Sequence, residues 1–527
     1  MNVAELLSEP VAARPDAAAL IEGSGTKRRE TSFAALDAAA RRIAARLRRD
    51  EVGPGDGVLF FAPPSAALYA ALIAVFRRGA VAMFVEPSAG RRVLDDACAM
   101  WPPRALVATP KAHLLRLASG ALRNVPVKYV THGWVPGARS LSRDAVSGDG
   151  TADHTVEATD TEAPALVTFT SGSTGRPKGV VRTHGILRAQ LAALTESLAA
   201  RAHERELVSL PVVVLLNLAN GAETVLPDAD LRRPAEIDAS TVLTQMKHER
   251  VMRATASPAF LERLVDDDNA SHAFHDLRAV VTGGGPVFPD IVARLARRAP
   301  AARVVSVYGS TEAEPIAHVE AGQVSAADLD AMRRGAGLLA GEPDPCVELR
   351  IIRRQWGTPI PALDASALAA MSSATSEPGE IVVTGAHVVR GYLHGQGDEE
   401  TKFRVDGRIW HRTGDIGYLD DRGRLWLLGR ASAVIDDARG ILYPFAVECV
   451  AREVLGVRRS AMIAREGRRV LVVERTESDP PLDSSAALSA LAWAKVDDLV
   501  VVAKLPMDRR HNSKIDYAAL GKLLERT

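Results

Sequence analysis

An apolar, strand-like segment at residues 165–169 runs directly into a loop that is rich in glycine, serine and threonine and ends at a lysine. Glycine allows positive φ angles and a close approach of the backbone to a ligand, and consecutive free N–H groups in such a turn bind anions. The loop therefore predicts a polyphosphate cradle, although its spacing is not that of a Walker loop; a flexible surface loop is the plain alternative. The residues expected to hold the phosphates are Thr170, Ser171, Gly172, Ser173, Thr174, Gly175 and Lys178.

This loop belongs to a chain in which short apolar strands alternate with helices. Residues 32–48 and 65–78 carry apolar positions at helical spacing, and residues 57–61 and 79–85 are apolar runs that predict strands. Such alternation predicts a parallel sheet with helices on its faces, and ligands bind at the carboxyl ends of such strands. Since the alternation continues to about residue 307, we expect several ligand-binding loops to meet in one site.

The pattern changes twice towards the C-terminus, and these changes predict the domain organisation. From residue 335 short β-like runs lie between glycine and aspartate turns, and after residue 430 a compact α+β pattern begins. We therefore expect an α/β fold with a large N-terminal domain of parallel-sheet αβ layers at 1–334, a small β-rich subdomain of it at 335–430, and a small α+β domain at 431–527. Residues 354–378, rich in proline, alanine and serine, are expected to form a surface excursion.

Composition excludes several classes of protein. Lysine plus arginine and aspartate plus glutamate number 65 each, so the net charge of zero gives no reason to expect a nucleic acid or an anionic membrane as partner. The three cysteines, Cys98, Cys346 and Cys449, argue against a disulfide framework and fit a reducing cytosol. No signal peptide is evident, and the longest apolar run, residues 66–76, is too short to cross a bilayer. We expect a cytoplasmic protein without a transmembrane segment.

Two further loops follow predicted strands and carry residues suited to a nucleotide. Tyr308 can stack on a base, Thr311 can donate to a phosphate, and Glu312 is an oxygen ligand suited to Mg²⁺. The glycines of residues 283–286 permit close approach of a flat ligand. A strand-end turn with solvated acids and an ordinary tight turn are the plain alternatives. The candidate residues of the two loops are Gly283, Gly284, Gly285, Tyr308, Gly309, Ser310, Thr311 and Glu312.

Two charged residues nearer the C-terminus complete the candidates. Asp415 lies in a tight glycine-flanked turn and can accept hydrogen bonds from two ribose hydroxyls; a structural turn aspartate is the alternative. Lys514 lies just before a predicted helix, where a lone lysine is usually solvated surface. His184, His411 and His511 lack metal-ligand spacing, and no Gly-x-Ser-x-Gly elbow marks a hydrolase.

Taken together, these motifs resemble, in order and spacing, those of the adenylate-forming superfamily, which includes acyl-CoA synthetases, adenylation domains and luciferases. The resemblance covers nearly the whole chain, and its first motif is highly specific. A narrower resemblance, at residues 506–515 and in the His411-Arg-x-Gly-Asp run, is to bacterial olefin β-lactone synthetases and their fatty-acid CoA ligase relatives. The motifs that carry the broader resemblance are Thr170-Ser-Gly-Ser-Thr-Gly-Arg-Pro-Lys-Gly, Tyr308-Gly-Ser-Thr-Glu, Thr413-Gly-Asp, Gly429-Arg430 and Lys514.

The resemblance implies which residues bind the nucleotide. The loop at residues 170–178 would hold the β- and γ-phosphates of ATP, and residues 283–286 and 308–310 would hold the adenine. Asp415 would bind the ribose hydroxyls, with Arg430 next to it.

The resemblance also implies a catalytic set. Thr311 would contact the α-phosphate, and Glu312 and Thr170 would bind Mg²⁺. Lys514 would be the mobile lysine that reaches in from the C-terminal domain when the substrate carboxylate attacks the α-phosphate to give acyl-AMP and pyrophosphate. Positioning and charge neutralisation suffice for this step, because the carboxylate is already ionised and needs no general base.

The implied function is therefore ATP-dependent activation of a carboxylic acid, followed by transfer of the acyl group to CoA or to the phosphopantetheine thiol of an acyl carrier protein. The narrower resemblance adds an alternative, in which an adenylated β-hydroxy acid closes internally to a β-lactone and releases AMP without a thiol. A non-catalytic nucleotide-binding homologue is a third reading. The acyl pocket is expected near residues 212–220, 283 and 313–316, where valine, leucine and alanine favour an aliphatic, fatty or β-hydroxy acid over an amino acid.

The chain departs from the superfamily pattern at positions that bear on the second step. Ala433 stands where a hinge acid is usual, Asp436 where a lysine is common, and Ser513 where a glycine usually precedes the catalytic lysine. We expect a loop after Leu210-Pro211, and this loop lacks the histidine or aromatic residue often found there. In the superfamily a swing about the hinge presents another face of the C-terminal domain to the thiol acceptor. The sequence therefore supports adenylation more firmly than transfer and leaves the acceptor open.

Overall fold

The computed structural model describes residues 1–86, 90–141, 154–171, 177–198, 201–475, 484–508 and 514–525. These residues divide into two units. Unit 1 comprises Met1–Ala229, Thr244–Thr255 and Ala386–Asp398; unit 2 comprises Asp230–Leu243, Ala256–Gly385 and Glu399–Thr527. The domain boundaries expected at residues 335 and 431 stay predictions.

Strands and helices alternate through the first half of the chain, as the sequence predicts. The strands are β1 Ala18–Glu22, β2 Arg29–Ser32, β3 Gly57–Phe61, β4 Val81–Val85, β5 Pro103–Ala108, β6 Val127–Val130, β7 Arg139–Ser140, β8 Pro164–Ser171, β9 Pro177–Thr183, β10 Arg205–Val208, β11 Glu223–Val225 and β12 Arg253–Ala256. The helices are α1 Ser8–Ala13, α2 Phe33–Arg49, α3 Ala66–Arg77, α4 Gly90–Met100, α5 Leu115–Ala118, α6 Gly120–Arg123, α7 His184–Leu198, α8 Pro211–Asn220 and α9 Ala239–His248.

Strands dominate the middle of the second half, and helices and strands share its end. The strands are β13 Ala279–Gly283, β14 Arg303–Ser310, β15 Ala313–Glu320, β16 Leu338–Pro343, β17 Val347–Ile352, β18 Gly379–Gly385, β19 Lys402–Val405, β20 Arg408–Leu419, β21 Leu425–Arg430, β22 Ile435–Asp437, β23 Gly440–Leu442, β24 Arg459–Arg465, β25 Arg468–Glu474 and β26 Asp498–Val502. The helices are α10 Pro258–Val265, α11 Ala270–Phe274, α12 Pro289–Arg298, α13 Ala326–Arg333, α14 Ala365–Met371, α15 Asp398–Thr401, α16 Pro444–Leu455, α17 Ser484–Ala490 and α18 Tyr517–Leu524.

Parallel pairing prevails in unit 1. One sheet has the order β7-β6-β5-β3-β4-β8-β9, in which only the last pair is antiparallel. A second run of strands, β12-β10-β11-β1-β2, is parallel except for β1 and β2. Helix α3 is buried from Leu68 to Arg77, so most of the apolar run at 66–76 packs in the core. The predicted fold class, α/β with parallel-sheet layers, is confirmed.

Antiparallel pairing prevails in unit 2. Its largest sheet has the order β17-β18-β20-β21-β16-β15-β14-β13, in which only β13 and β14 are parallel, and β19 pairs with β20. Near the C-terminus, β24, β25 and β26 form a separate sheet against which α16 and α18 pack. The short β-like runs predicted after residue 335 and the α+β pattern after 430 are both present.

Local capping explains where several helices begin. Ser32 and Ser65 accept hydrogen bonds from Ala35 N–H and Leu68 N–H, both at 3.2 Å, and so cap α2 and α3. The segment after Leu210, which the sequence analysis treated as a loop, is helix α8: a proline occupies its first turn and Gly221 ends it in the left-handed region, with φ of 71°.

The predicted surface excursion at residues 354–378 contains one helix, α14. Leu368 of α14 is buried and packs in a cluster with Phe403 and Trp410, so this segment contributes to the core of unit 2. None of the helices in the described ranges is both long and apolar enough to span a lipid bilayer.

Candidate active site

Tyr308, Asp415 and Arg430 meet in unit 2. The Tyr308 hydroxyl donates to Asp415 Oδ2 at 2.8 Å, and Arg430 Nη1 lies 3.3 Å from Asp415 Oδ1. Asp415 and Arg430 are direct register partners on β20 and β21, so the ladder itself fixes their proximity. The structure therefore joins residues that the sequence placed in three separate motifs. Their assignment to base and ribose stays a prediction.

A buried ion pair holds the turn that presents Asp415. The side chains of Arg412 and Glu380 are 0% and 1% exposed, and Arg412 Nε and Nη2 donate to Glu380 Oε2 at 2.9 and 2.7 Å. Arg412 also donates to three backbone carbonyl oxygens and lies over the Trp356 ring, 5.1 Å from its centroid. The Asp415 N–H donates to the Thr413 hydroxyl at 3.1 Å. A satisfied buried network of this kind makes the position of Asp415 rigid.

Burial sets the protonation of two side chains in this region. Burial, and then the adjacent Asp415 carboxylate, raise the pKa of Tyr308 well above its usual range, so the phenol remains a hydrogen-bond donor. Burial, followed by the positive charge of Lys402, lowers the pKa of His411 to about 3, while the carboxylate of Glu312 acts in the opposite direction. His411 is therefore a neutral imidazole close to Glu312. The sequence marked His411 as part of the run that carries the narrower resemblance, but it did not predict this burial.

The glycines of residues 283–286 lie beside Tyr308 because β13 and β14 run parallel. Gly283 pairs in register with Val307, and a Cβ on Gly283 would lie 2.8 Å from the Val307 carbonyl oxygen. Gly284 has φ of +83°, a conformation that other residues rarely adopt. Both positions therefore require glycine, and the loop is free of side chains where it leaves the sheet.

Thr311 and Glu312 form the turn between β14 and β15, where Ser310 pairs with Ala313. The Glu312 N–H donates to the Ser310 hydroxyl at 3.2 Å. Within the described part of the chain, no group of three or more His, Cys, Asp or Glu side chains is arranged to hold a metal ion. Mg²⁺ in nucleotide sites commonly takes one or two carboxylates together with substrate phosphates, so Glu312 fits a Mg²⁺ that enters with ATP.

The lysine of the glycine-rich loop belongs to unit 1. Lys178 pairs with Thr170 across β8 and β9, and its Nζ lies over the Tyr392 ring, 5.5 Å from the centroid. A Cβ on Gly397 would lie 2.5 Å from Lys178 Nζ. Tyr392 and Gly397 thus confine the lysine, and no motif in the sequence analysis marked them. Of the other predicted phosphate residues, Thr170 and Ser171 end β8, and Gly172, Ser173, Thr174 and Gly175 lie outside the described residues.

Lys514 and Arg430 line the same open cleft in unit 2, whose empty volume is about 720 Å³. Pro286, at the end of the glycine run, lines it as well, and so do the rings of Phe288 and Phe445. The structure therefore brings three of the sequence-predicted motifs to one cleft. The cleft is also lined by two acids and two further arginines, Glu262, Glu448, Arg452 and Arg459. An ammonium and a guanidinium in such a cleft can stabilise an anion such as a phosphate, because charges are screened less there than in bulk water.

The unusual hinge residues take up a defined arrangement. Ala433 ends a short 3₁₀ turn that directly follows Arg430, and Asp436 on β22 forms an ion pair with Arg354. The aspartate therefore links the start of the C-terminal segment to residues 354–378.

Residues predicted to line the acyl pocket lie on three elements. Residues 212–220 belong to α8 in unit 1, whereas Gly283 ends β13 and residues 313–316 begin β15 in unit 2. Leu216 and Leu218 of α8 are buried. The acyl pocket stays a prediction.

Comparison with known proteins places the chain in one enzyme group. Residues 7–393 match the profile of a family described as AMP-binding enzyme. The chain is 33% identical to an olefin β-lactone synthetase of Stenotrophomonas maltophilia (strain K279a), over 99% of this chain and 97% of that protein. It is 32% identical to an olefin β-lactone synthetase of Xanthomonas campestris pv. campestris, over 93% of this chain and 90% of that protein.

A solved structure shows the same fold. The amide bond synthetase McbA from Marinactinospora thermotolerans aligns with a TM-score of 0.80 over 99% of both chains, at 22% sequence identity.

Proposed function

The chain belongs to the AMP-binding enzyme family and is an adenylate-forming ligase, and from this premise we propose that its acid is an aliphatic β-hydroxy acid that the enzyme closes to a β-lactone. The observation that carries the proposal is the identity of 33% and 32% with two olefin β-lactone synthetases over nearly the full length of each protein. The replaced hinge acid, Ala433, and the ion pair of Asp436 with Arg354 support it, since neither favours a swing towards an external thiol.

In the first step, an oxygen of the substrate carboxylate attacks the α-phosphorus of ATP, and the bond to the bridging oxygen breaks as pyrophosphate leaves. Lys178 binds the β- and γ-phosphates, and Lys514 neutralises charge at the α-phosphate. Thr311 donates to the α-phosphate, and Glu312 and Thr170 are the residues that would hold the Mg²⁺ that the family typically uses with ATP. Bound Mg²⁺ would offset the negative charge of the phosphates.

Nucleotide binding uses the sheet end of unit 2. The adenine lies between the glycines of residues 283–286 and Tyr308, and the ribose hydroxyls donate to Asp415. Arg430 Nη1, 3.3 Å from Asp415 Oδ1, holds the Asp415 carboxylate in position to accept them.

In the second step, the β-hydroxyl oxygen of the acyl-AMP attacks the acyl carbon and forms the ring C–O bond. The bond from that carbon to the phosphate oxygen breaks, AMP leaves with the electron pair, and the hydroxyl proton passes to solvent. No thiol takes part, so the acceptor is the substrate itself.

The test is product analysis with purified protein, ATP, Mg²⁺ and a long-chain 3-hydroxy acid, with no thiol present. We expect β-lactone, AMP and pyrophosphate in equal amounts, and no change in the lactone yield when CoA is added. The matched control is the unsubstituted fatty acid of the same length, which can be adenylated but cannot close. Formation of acyl-CoA in place of lactone when CoA is present would instead establish the thioester-forming reaction.

A further inference from the structure

Helix α16 runs through the C-terminal segment and carries two buried charged residues among apolar ones. Arg452 and Glu448 are 7% and 3% exposed, and they lie four residues apart, so they share one face of the helix. Both line the cleft that also contains Lys514. Ionisable side chains are rarely buried to this degree unless they are paired, and the two have different partners.

Arg452 anchors α16 to two helices of the preceding segment. Its Nε and Nη2 donate to the two carboxylate oxygens of Asp290 at 2.8 Å each, and Nη2 also donates to Glu262 Oε1 at 3.2 Å. Its guanidinium carbon lies over the Phe288 ring, 4.6 Å from the centroid. Asp290 lies in the first turn of α12, and Glu262 lies in α10. A bidentate contact with a stacked guanidinium fixes orientation as well as distance, which a lysine could not do.

Glu448 connects the same helix to the segment that contains Lys514. The Tyr517 hydroxyl donates to Glu448 Oε1 at 3.1 Å, and the Met462 N–H approaches the same oxygen at 3.5 Å. Tyr517 begins α18, three residues after Lys514. The hydrogen bond therefore ties α16 to the chain immediately beside the lysine.

Lys514 itself is held through its backbone. Its N–H donates to Asp508 Oδ1 at 2.7 Å, and the Asp508 N–H donates back to the Lys514 carbonyl oxygen at 2.7 Å. Met507 and Ile515 form an antiparallel bridge next to this pair. The Asp516 N–H also donates to the Pro506 carbonyl oxygen at 2.9 Å, so residues 514–516 are paired with 506–508 up to Tyr517. A shift of α16 that moves Tyr517 therefore moves the lysine as well.

From this continuous set of contacts we propose that Arg452 is a positioning residue for Lys514. By binding Asp290 and Glu262, Arg452 sets the position of α16, and Glu448 and Tyr517 transmit that position to the lysine. The inference rests on the proposed function, in which Lys514 neutralises charge at the α-phosphate. It assigns a role in adenylation to a residue that contacts neither ATP nor the acid.

The test compares Arg452→Met with Arg452→Lys, each in the wild-type and in the Lys514→Ala background. Arg294 lies 3.7 Å from Glu262 and 3.5 Å from Asp290, so both acids keep a cationic neighbour when Arg452 is replaced, and the fold is expected to survive. The matched control is Arg458→Met. Arg458 belongs to the same C-terminal segment as Arg452 and forms an exposed ion pair with Asp266, but it does not line the cleft.

Pyrophosphate exchange gives the first readout. In the wild-type background, Arg452→Met should lower kcat by about 10- to 100-fold with little change in the KM for ATP, because misplacement of a catalytic group by about 1 Å has that effect. Arg452→Lys should recover part of the loss, and Arg458→Met should behave as the wild type. In the Lys514→Ala background, Arg452→Met should cause no further loss. An equal loss in both backgrounds, or no loss in either, would overturn the inference.

Hydrogen exchange gives a second readout that does not depend on activity. In Arg452→Met, amides of residues 514–525 should exchange faster than in the wild type, whereas those of β13 and β14 should not change. If the wild type exchanges no pyrophosphate with any acid, the proposed function fails. Hydrogen exchange alone then decides whether Arg452 positions the segment that contains Lys514. Faster exchange at 514–525 then supports the positioning role, and unchanged exchange there overturns it.

Discussion

At the scale of single residues, the site depends on a few charged groups whose orientation is set by neighbouring side chains. Asp415 is the clearest, because it accepts from Tyr308 and faces Arg430 while its turn is fixed from beneath by Arg412. Its carboxylate is therefore oriented before any ligand arrives, and hydrogen bonds to an ionised acceptor are stronger than those to a neutral one.

Replacement of Asp415 should weaken ATP binding more than it slows chemistry. In Asp415→Ala the ribose hydroxyls lose a charged acceptor, so the KM for ATP should rise by about tenfold or more, with a smaller effect on kcat. Steady-state pyrophosphate exchange at varied ATP measures both. Asp421→Ala, at an exposed aspartate in the turn between β20 and β21, serves as control. A KM for ATP equal to that of the wild type would remove Asp415 from the nucleotide site.

Glu448 makes a second residue-scale prediction, about pH. Burial raises the pKa of Glu448 to about 7, and its hydrogen bonds from Tyr517 and Met462 and the charge of Arg452 only partly oppose this. The folded state thus holds this proton more tightly than the unfolded state, for which the ordinary value is 4.5. The stability that the proton contributes is complete below pH 4.5 and is lost as the pH rises through about 7.

Glu448→Gln should therefore gain stability relative to the wild type as the pH rises from about 5 to about 8, by on the order of 3 kcal/mol. Urea unfolding of both proteins at the two pH values measures the difference, and groups common to both cancel. A constant difference across this range would mean that Glu448 titrates normally.

At the scale of elements, the pairing register of β20 and β21 determines which side chains meet in the site. The ladder places Asp415 opposite Arg430, and β18 supplies Glu380 to hold Arg412. The ion pair beneath the turn is almost fully buried. Removal of one partner alone therefore lowers the free energy of unfolding far more than removal of both.

Arg412→Met should destabilise the protein by about 3–5 kcal/mol, because it leaves Glu380 as a buried charge without its guanidinium. The double variant Arg412→Met/Glu380→Met should recover part of this loss but not all, since the three backbone carbonyls that accept from Arg412 lose their donor as well. Thermal and urea unfolding of the single and double variants measure the effect. If the double variant is less stable than the single one, the ion pair is not what holds the turn.

At the scale of the whole molecule, the sequence predicted the class of fold, which is confirmed, and it named site residues whose roles stay predictions. Glycine, proline and serine mark strand ends and turns locally, so Gly283 and the turn at Thr311 could be placed from pattern alone. Parallel strands bring their carboxyl-terminal loops together by geometry, which is why separate motifs could be assigned to one site.

Contacts between distant segments could not be predicted in the same way. Tyr392 and Gly397 confine Lys178, and Asp290 and Glu262 bind Arg452, yet no local pattern records which residues will meet. Helix α8 was missed because its run of valine and leucine is equally compatible with a strand or a loop, and packing decides between them.

Oxygen transfer tests the central claim, that the carboxylate is adenylated, most directly. The reaction is run with ATP and no thiol on a 3-hydroxy acid whose carboxyl group carries ¹⁸O in both positions, and the AMP and the lactone are examined by mass spectrometry. Because a carboxylate oxygen bridges to phosphorus and stays there when the ring closes, we predict one ¹⁸O in the AMP and one in the lactone carbonyl. AMP without ¹⁸O would contradict adenylation, whatever product is formed.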